Sequence, residues 1–580
     1  MKKAKFIIVS ILVTLIMPSC EDVLNRLPDY KVWETEVFEQ ENLSIKYLNN
    51  LYSRLVLNSM IGRDDWRSPT MMGRNTDEMS NSLGNPVTNI TSGMDRWDYA
   101  FIRDINVFIN GIRNSKFSEE TKAQLEGEAR FIRAYEYFEM QKRFGGVPLV
   151  DIVIDPYQEI DHKYTKRSTE EEIVNFLDTE LTEISNMLST NHLPRGRANK
   201  WTALALKARA MLYAASIADY GIVQLDGIVG VPSSRAADLY TKAANAADEV
   251  ILSTKYSLYK TTSDPVENYR LIFEDESNSE VIFEEVFDGV KKGHSYDAYV
   301  GPPCVGARGS ATNNPTLNFV LQYENIDGTT DPPDFGESFL YLNGADLFKN
   351  KDPRLLATVF LQGDKWRSHI IQTYEGIDPS PVPDPANIIS QWDVEYNGIS
   401  TVGFDSRNYI LDSWSTSTGF ITKKYFDNRD EKIIELNSKT NWIDIRLAEM
   451  YLTKAEAYYE LGDFLKAAEA LNETRDRAGI SLVDENTITL DKVRRERRAE
   501  LAFEAQRYWD LRRWRIAESV LNFQVTGLKI IYHLASNKYY FLPFNAEPSS
   551  RTFLPQHYYQ AIGQSRIQNN PDLVENPLYE

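Results

Sequence analysis

The chain has little of what most chemistry needs. Its 580 residues include 2 cysteines and 6 histidines. His162, His192, His294, His369, His533 and His557 lie too far apart for any two to share a helical face, so no zinc-site spacing exists. There is no Gly-x-Ser-x-Gly elbow and no Gly-x-x-x-x-Gly-Lys-Ser/Thr phosphate loop. Asp393, Glu395, Asn397 and Gly398 start like a calcium loop, but Phe404 stands at the twelfth position, where a bidentate glutamate is required. Neither a metal nor a cofactor is expected. Positive charge is also short: the net charge of −20 repels polyphosphate and makes nucleic acid a poor partner. With 84 acids, carboxylate pairs arise by chance and carry no argument for glycosidase chemistry. The apolar run over residues 6–17 is too short to cross a bilayer.

Aromatic residues are plentiful, at 12%. Most must be core, and the rest are the kind of surface on which sugars and peptides stack. Lys2, Lys3 and Lys5 precede the short apolar run, the pattern of a secretory signal. Leu15-Ile16-Met17-Pro18-Ser19-Cys20 then resembles a bacterial lipobox, with Pro18-Ser19 in place of the usual Ala-Gly. That resemblance implies a lipid anchor on Cys20. Several acyl chains hold a protein on a membrane without a transmembrane helix. Cys304 is then unpaired, so an exported chain has to fold without an internal disulfide.

Helical signals dominate both ends. A helix is predicted from about Thr35 through Leu55. Trp97, Phe101, Ile105 and Phe108 predict another over 97–112. Ser118 caps a third that ends at Phe144, stopped by Gly145-Gly146. Thr169 with Glu172 forms a capping-box start for a helix to Leu188. Residues 201–220 are alanine-rich, and a partner helix starts near Arg235. Ala455, Tyr458, Gly462, Phe464, Ala467 and Leu471 sit where a tetratricopeptide repeat places its small, aromatic and turn residues. One such hairpin cannot bury its own face, so several must stack. Between these regions, 62–93 is a polar loop rich in Gly, Pro, Asn and Ser. Residues 261–440 form a Pro- and Gly-punctuated insertion, strand-like around Val281-Ile282-Phe283. Helices are expected again from Trp442, and the last sixty residues read as irregular and extended.

Residues 494–514, RRERRAELAFEAQRYWDLRRW, contain no helix breaker. Glu496, Glu500 and Glu504 fall in one row of a continuous helix. So many arginines beside aromatics fit either a basic grip or a helix clamped by ion pairs. The interleaved acids and the overall charge favour the clamp.

Four elements together resemble the SusD/RagB-like outer-membrane nutrient-binding lipoproteins. They are the lipobox ending in Cys20, GEARFIRAYEYFEMQKRFGGVPLV at 127–150, the 494–514 stretch, and the tail with Asn569-Asn570-Pro571 and Glu575-Asn576-Pro577. Ala505 and Leu578 depart from the glycines common there. The resemblance implies a mainly α fold: tetratricopeptide-like helical hairpins form a superhelical frame, with a loop-rich irregular subdomain inserted. It divides the chain into a signal peptide (1–19), an N-terminal frame with a ligand-facing loop at 62–93 (20–260), a ligand-binding insertion (261–440), C-terminal repeats (441–520) and an extended segment packing on the frame (521–580). It implies no catalysis. It also implies a lipoprotein facing the cell exterior on the outer membrane, where it binds a glycan or, less often, a peptide and hands it to a SusC-like TonB-dependent transporter. A surface glycoside hydrolase and a protein-only scaffold are the competing classes. Family ligands lie on the loops before the first signature and in the insertion. This points to Arg74, Asp77, Trp97, Tyr296 and Tyr323 as ligand contacts, with Trp66 and Trp392 comparable.

Overall fold

The computed structural model describes residues 34–55, 57, 71–81, 94–155, 157–191, 194–305, 313–409, 415–428, 433–434 and 436–579. Cys20 and Trp66 lie outside them. The frame is a stack of helices: α1 (Glu41–Arg54), α2 (Tyr99–Asn114), α3 (Glu119–Phe144), α4 (Glu170–Met187), α5 (Lys200–Tyr220), α6 (Ala236–Leu252), α7 (Leu447–Glu460), α8 (Phe464–Ala478), α9 (Leu490–Glu500) and α10 (Arg507–Arg513). Helices α2 to α6 pack in chain order. Helix α6 then packs on α7, and α7 on α8 and α9. Each hairpin covers the apolar face its neighbour leaves open, the tetratricopeptide plan.

Local chemistry sets the helix ends. The Ser118 hydroxyl accepts from the Thr121 amide, and Thr169 and Glu172 form a reciprocal capping box. Helix α3 ends at Gly145, whose φ is 75°. A Cβ on Gly146 would lie 1.9 Å from the Ser168 carbonyl oxygen, so only glycine fits there. Every residue of 127–144 is buried, charged ones included. Those charges are paired: Arg130 and Arg133 with Glu180, Arg96 with Glu136, Lys142 with Glu139, and Arg197 with Glu128.

The strands that matter here are β1 (Met79–Asn81), β2 (Val281–Glu285), β3 (Asn313–Pro315), β4 (Gly376–Asp378), β5 (Glu395–Tyr396), β6 (Ile399–Ser400), β7 (Trp442–Arg446), β8 (Thr526–His533) and β9 (Lys538–Asn545). Strand β2 pairs antiparallel with β7, joining the chain where it leaves the frame to where it returns. Strands β8 and β9 form a hairpin, and β4 adds to β8 in parallel.

Three expectations need correction. Trp442 begins a strand, and the helix starts only at Leu447. The last sixty residues include the two eight-residue strands β8 and β9. The 494–514 stretch is two helices, not one. Residues 501–506 turn between them, with Phe503 and Ala505 both at φ 60°. The break is driven by charge. Glu500 is the shared partner of Arg354, Arg446 and Arg477, and Glu504 of Lys424 and Arg446. Arg497 reaches Asp510, and Arg513 reaches Glu456 and Asp510. Arg354 and Lys424 belong to the insertion, so this network ties the insertion to the frame.

Candidate functional site

The described part of the 62–93 loop is fastened to the insertion. Strand β1 pairs antiparallel with β3, and Asn81 stands opposite Asn313. The Ser417 hydroxyl donates to the Asn81 carbonyl at 2.7 Å, and the Thr422 hydroxyl to the Asn313 carbonyl at 2.8 Å. Arg74 Nε donates to Asn313 Oδ1 at 2.8 Å. Arg551 donates to the carbonyls of Arg74, Thr76 and Met79. Three segments distant in sequence therefore meet in a patch of amides and hydroxyls, the groups that read sugar hydroxyls. Asn313 Nδ2 and Asn314 Oδ1 are buried there without a hydrogen-bond partner among the described residues. Arg74 is half-buried, and burial together with nearby Arg551 brings its guanidinium down to about 10.

Asp77 and Glu78, side by side, are in opposite electrostatic states. Arg507 grips both Asp77 oxygens, at 3.0 and 2.9 Å, and Arg498 adds a contact at 2.9 Å. Burial opposes the charge, but the two guanidiniums outweigh it and hold the Asp77 carboxyl well below the usual range. Burial, aided by Asp77, pushes Glu78 up to about 7 against the pull of Arg498. Glu78 Oε1 has no hydrogen-bond partner among the described residues. Asp77 is thus an anchor between loop and frame, not a ligand contact.

The aromatic expectations divide. Tyr296 and Tyr323 are core residues. The Tyr296 hydroxyl donates to the Lys424 carbonyl, and the Tyr323 ring packs edge-on against Phe319. Both lie in or beside short amphipathic helices inside the insertion, Tyr296–Val300 and Leu317–Val320, which turn the rings inward. Neither offers a face to a ligand. Trp97 precedes the α2 N-cap Asp98 and is half-buried. It sits edge-on to Phe144 at 5.1 Å, with the Arg566 guanidinium 5.3 Å from its ring centre. The structure does not bring Trp97 together with Arg74 and Asp77.

Among the described aromatic candidates Trp392 is the most open to solvent, 44% exposed. The hairpin beside it was not read from the sequence, where the same residues were noted only as a failed calcium-loop match. Asp393, Glu395, Asn397 and Gly398 belong to a β5–β6 hairpin whose Asn397-Gly398 turn has both residues at positive φ, 53° and 79°. Tyr396 lies on the first strand opposite Ile399, Val394 just precedes that strand, and Trp392 lies in the turn before it, whose second residue has φ 59°. All four are exposed. The signal was present in the sequence as a period-two run before Asn-Gly, a hairpin pattern. Past the hairpin, exposed Phe404 packs on Tyr409 at 4.6 Å, and exposed Arg407 stands 5.6 Å from the Phe544 ring centre. Tyr396, Phe404, Arg407 and Tyr409 were not singled out from the sequence. The arrangement offers aromatic faces and polar donors. Among the described residues no cluster of His, Cys, Asp and Glu could hold a metal ion.

Comparison with known proteins bears on what such a surface serves. The model of the SusD family matches residues 279–579. The chain belongs to the SusD family. A second family model, described as starch-binding associating with outer membrane, matches residues 28–212. A SusD-like protein of Bacteroides ovatus is 24% identical over 72% of this chain, and the match spans 64% of that relative's length. A SusD-like protein of Formosa agariphila is 23% identical over 90% of this chain and 91% of its own. Among solved structures, a SusD-like protein of Bacteroides fragilis is similar with a TM-score of 0.70 at 23% identity, covering 96% of this chain and all of that one. A SusD-like carbohydrate-binding protein of the same species gives 0.66 at 22% identity over 93% of this chain and 99% of that one. These likenesses show the tetratricopeptide-like helical fold.

Proposed function

We propose that this protein binds an oligo- or polysaccharide on the solvent face of its insertion. On this reading it is a lipoprotein anchored through Cys20 to the outer membrane, facing outward, that hands its ligand to a TonB-dependent transporter. It performs no catalysis. Membership of the SusD family carries the proposal. One family model is described as starch-binding and outer-membrane-associated, and a structural relative is titled a carbohydrate-binding protein.

The surface supports the reading chemically. Tyr396 on the hairpin and Trp392 in the turn just before it present exposed rings on which a sugar ring can lie. Exposed Arg407, beside the Phe544 ring, supplies donors for hydroxyls. The test is affinity electrophoresis against a polysaccharide panel. Trp392→Ala with Tyr396→Ala is expected to weaken retention of the bound polysaccharide about tenfold or more. Each lost stacking contact is worth roughly 0.5–1.5 kcal/mol beyond its buried area. The melting temperature should stay unchanged, since both rings are solvent-exposed. Retention equal to wild type would overturn this placement of the site. No retention of any polysaccharide by the wild-type protein would overturn glycan binding itself.

A further inference from the structure

On the frame, away from the hairpin, a cavity of about 310 Å³ opens between the α5–α6 connection, the end of α10 and the C-terminal tail. Tyr220, Tyr558, Tyr559 and Pro577 contribute rings to it. Arg515 and Glu518 bring opposite charges, and Gln224 and Gln556 bring two amides. Among the described residues, Arg515 and Glu518 form no ion pair with each other. The side chains of Glu518, Gln224 and Gln556 make no hydrogen bond there either, and Arg515 makes one, to the Tyr559 hydroxyl at 2.7 Å. Behind the rings the acids are engaged: Glu170 accepts from Tyr559 at 2.9 Å, and Glu460 accepts from Tyr220. The Arg494 guanidinium lies 5.1 Å from the Tyr220 ring centre and 4.8 Å from that of Trp514. The walls are fixed. Gln224 exchanges both backbone hydrogen bonds with Val229, at 2.8 and 3.2 Å. Arg515 and Leu578 hold left-handed backbone, with φ 53° and 69°. That conformation is uncommon outside glycine, and it clusters at ligand sites.

A guanidinium only donates, a carboxylate only accepts, and each amide does both. Neighbouring hydroxyls on one sugar ring also donate and accept, so they match this set where a purely acidic or purely basic ligand does not. Arg515 and Glu518 cancel in charge, so an ion of either sign that is drawn to one is repelled by the other. The tyrosine and proline rings, with Ile222 and Leu578 exposed at the mouth, suit the C–H face of the same sugar. We propose that this cavity is a second saccharide site, carried by the frame, which takes a short neutral oligosaccharide or the end of a longer chain. It is separate from the hairpin surface and does not depend on Trp392 or Tyr396.

The test is isothermal titration calorimetry on the full chain, in a detergent without a sugar head group. The probes are neutral hexasaccharides of glucose, mannose, galactose and xylose, with free leucine as a zwitterionic control. Arg515→Gln also breaks the Tyr559 contact, so the deciding substitutions are Glu518→Ala and Gln224→Ala together. Both side chains are exposed, and the Glu518 backbone amide still donates to the Tyr558 hydroxyl. Trp392→Ala with Tyr396→Ala disables the hairpin surface. That hairpin variant is expected to keep binding at least one of the saccharides. Adding the two cavity substitutions should weaken the remaining binding about tenfold or more, at an unchanged melting temperature. Remaining binding that the cavity substitutions leave intact would overturn the second site. A hairpin variant that binds none of the probes would overturn it too, while wild-type binding would leave the hairpin reading standing. Binding of leucine and of no saccharide by the hairpin variant would assign the cavity to a zwitterion and likewise overturn the proposal.

Discussion

Glu78 is a buried acid whose neighbours cannot fully stabilise its charge. Its carboxyl stands at about 7, up from an ordinary 4.5, while adjacent Asp77 takes the favourable contacts with Arg498 and Arg507. A raised carboxyl means that the folded state holds its proton more tightly than the unfolded chain does. That contribution is fully present below about pH 4.5 and is lost as pH rises through about 7. Glu78→Gln keeps the neutral form at every pH. Its melting temperature should therefore match wild type below about pH 4.5 and pull ahead progressively towards about pH 8. Parallel melting-temperature profiles for the two proteins would show that Glu78 titrates normally. The sequence marked the loop as functional from its polar composition. It could not show that Asp77 is used up by arginines 421 and 430 residues away along the chain. Nor could it show that Tyr296 and Tyr323 face inward, because exposure depends on tertiary packing that no local pattern encodes.

At the scale of elements, legibility followed the strength of local signals. Helices α3 to α6 were readable because caps, a paired-glycine stop and 3.6-residue periodicity agreed. The split after Glu500 was not, because every residue of 494–514 tolerates a helix. The turn is imposed by partners on other elements, Arg354, Lys424 and Arg446. Strands β8 and β9 were missed because the burial of β8, the central strand between β4 and β9, does not alternate with period two. The tail is extended as expected, and its asparagines have particular tasks. Buried Asn576 donates to the carbonyls of Phe144 and Gln560 and accepts from Arg167. Asn576→Ala removes these three hydrogen bonds, although Arg167 still donates to the Phe144 carbonyl, and is expected to cost about 1–3 kcal/mol. Urea denaturation followed by tryptophan fluorescence measures this directly. A change under about 0.5 kcal/mol would mean that water replaces the side chain.

Across the whole molecule, frame and insertion share charges that neither can leave exposed to the interior alone. Separating them would strand Arg354 from Glu496 and Glu500, and Lys424 from Glu504. Breaking one buried pair from one side costs about 3–5 kcal/mol, more than a loosely attached subdomain would survive. One calorimetric transition is expected, with equal calorimetric and van't Hoff enthalpies. Two resolved transitions would show that the insertion melts separately. The tail's attachment has a consequence for timing. Asn576 completes the end of α3, a helix finished more than four hundred residues earlier in synthesis. The Phe144 carbonyl at the end of α3 holds Arg167 early and gains Asn576 only after more than four hundred further residues are made. A chain cut before Asn576 lacks this clasp, and limited proteolysis is expected to cleave it faster than the full chain.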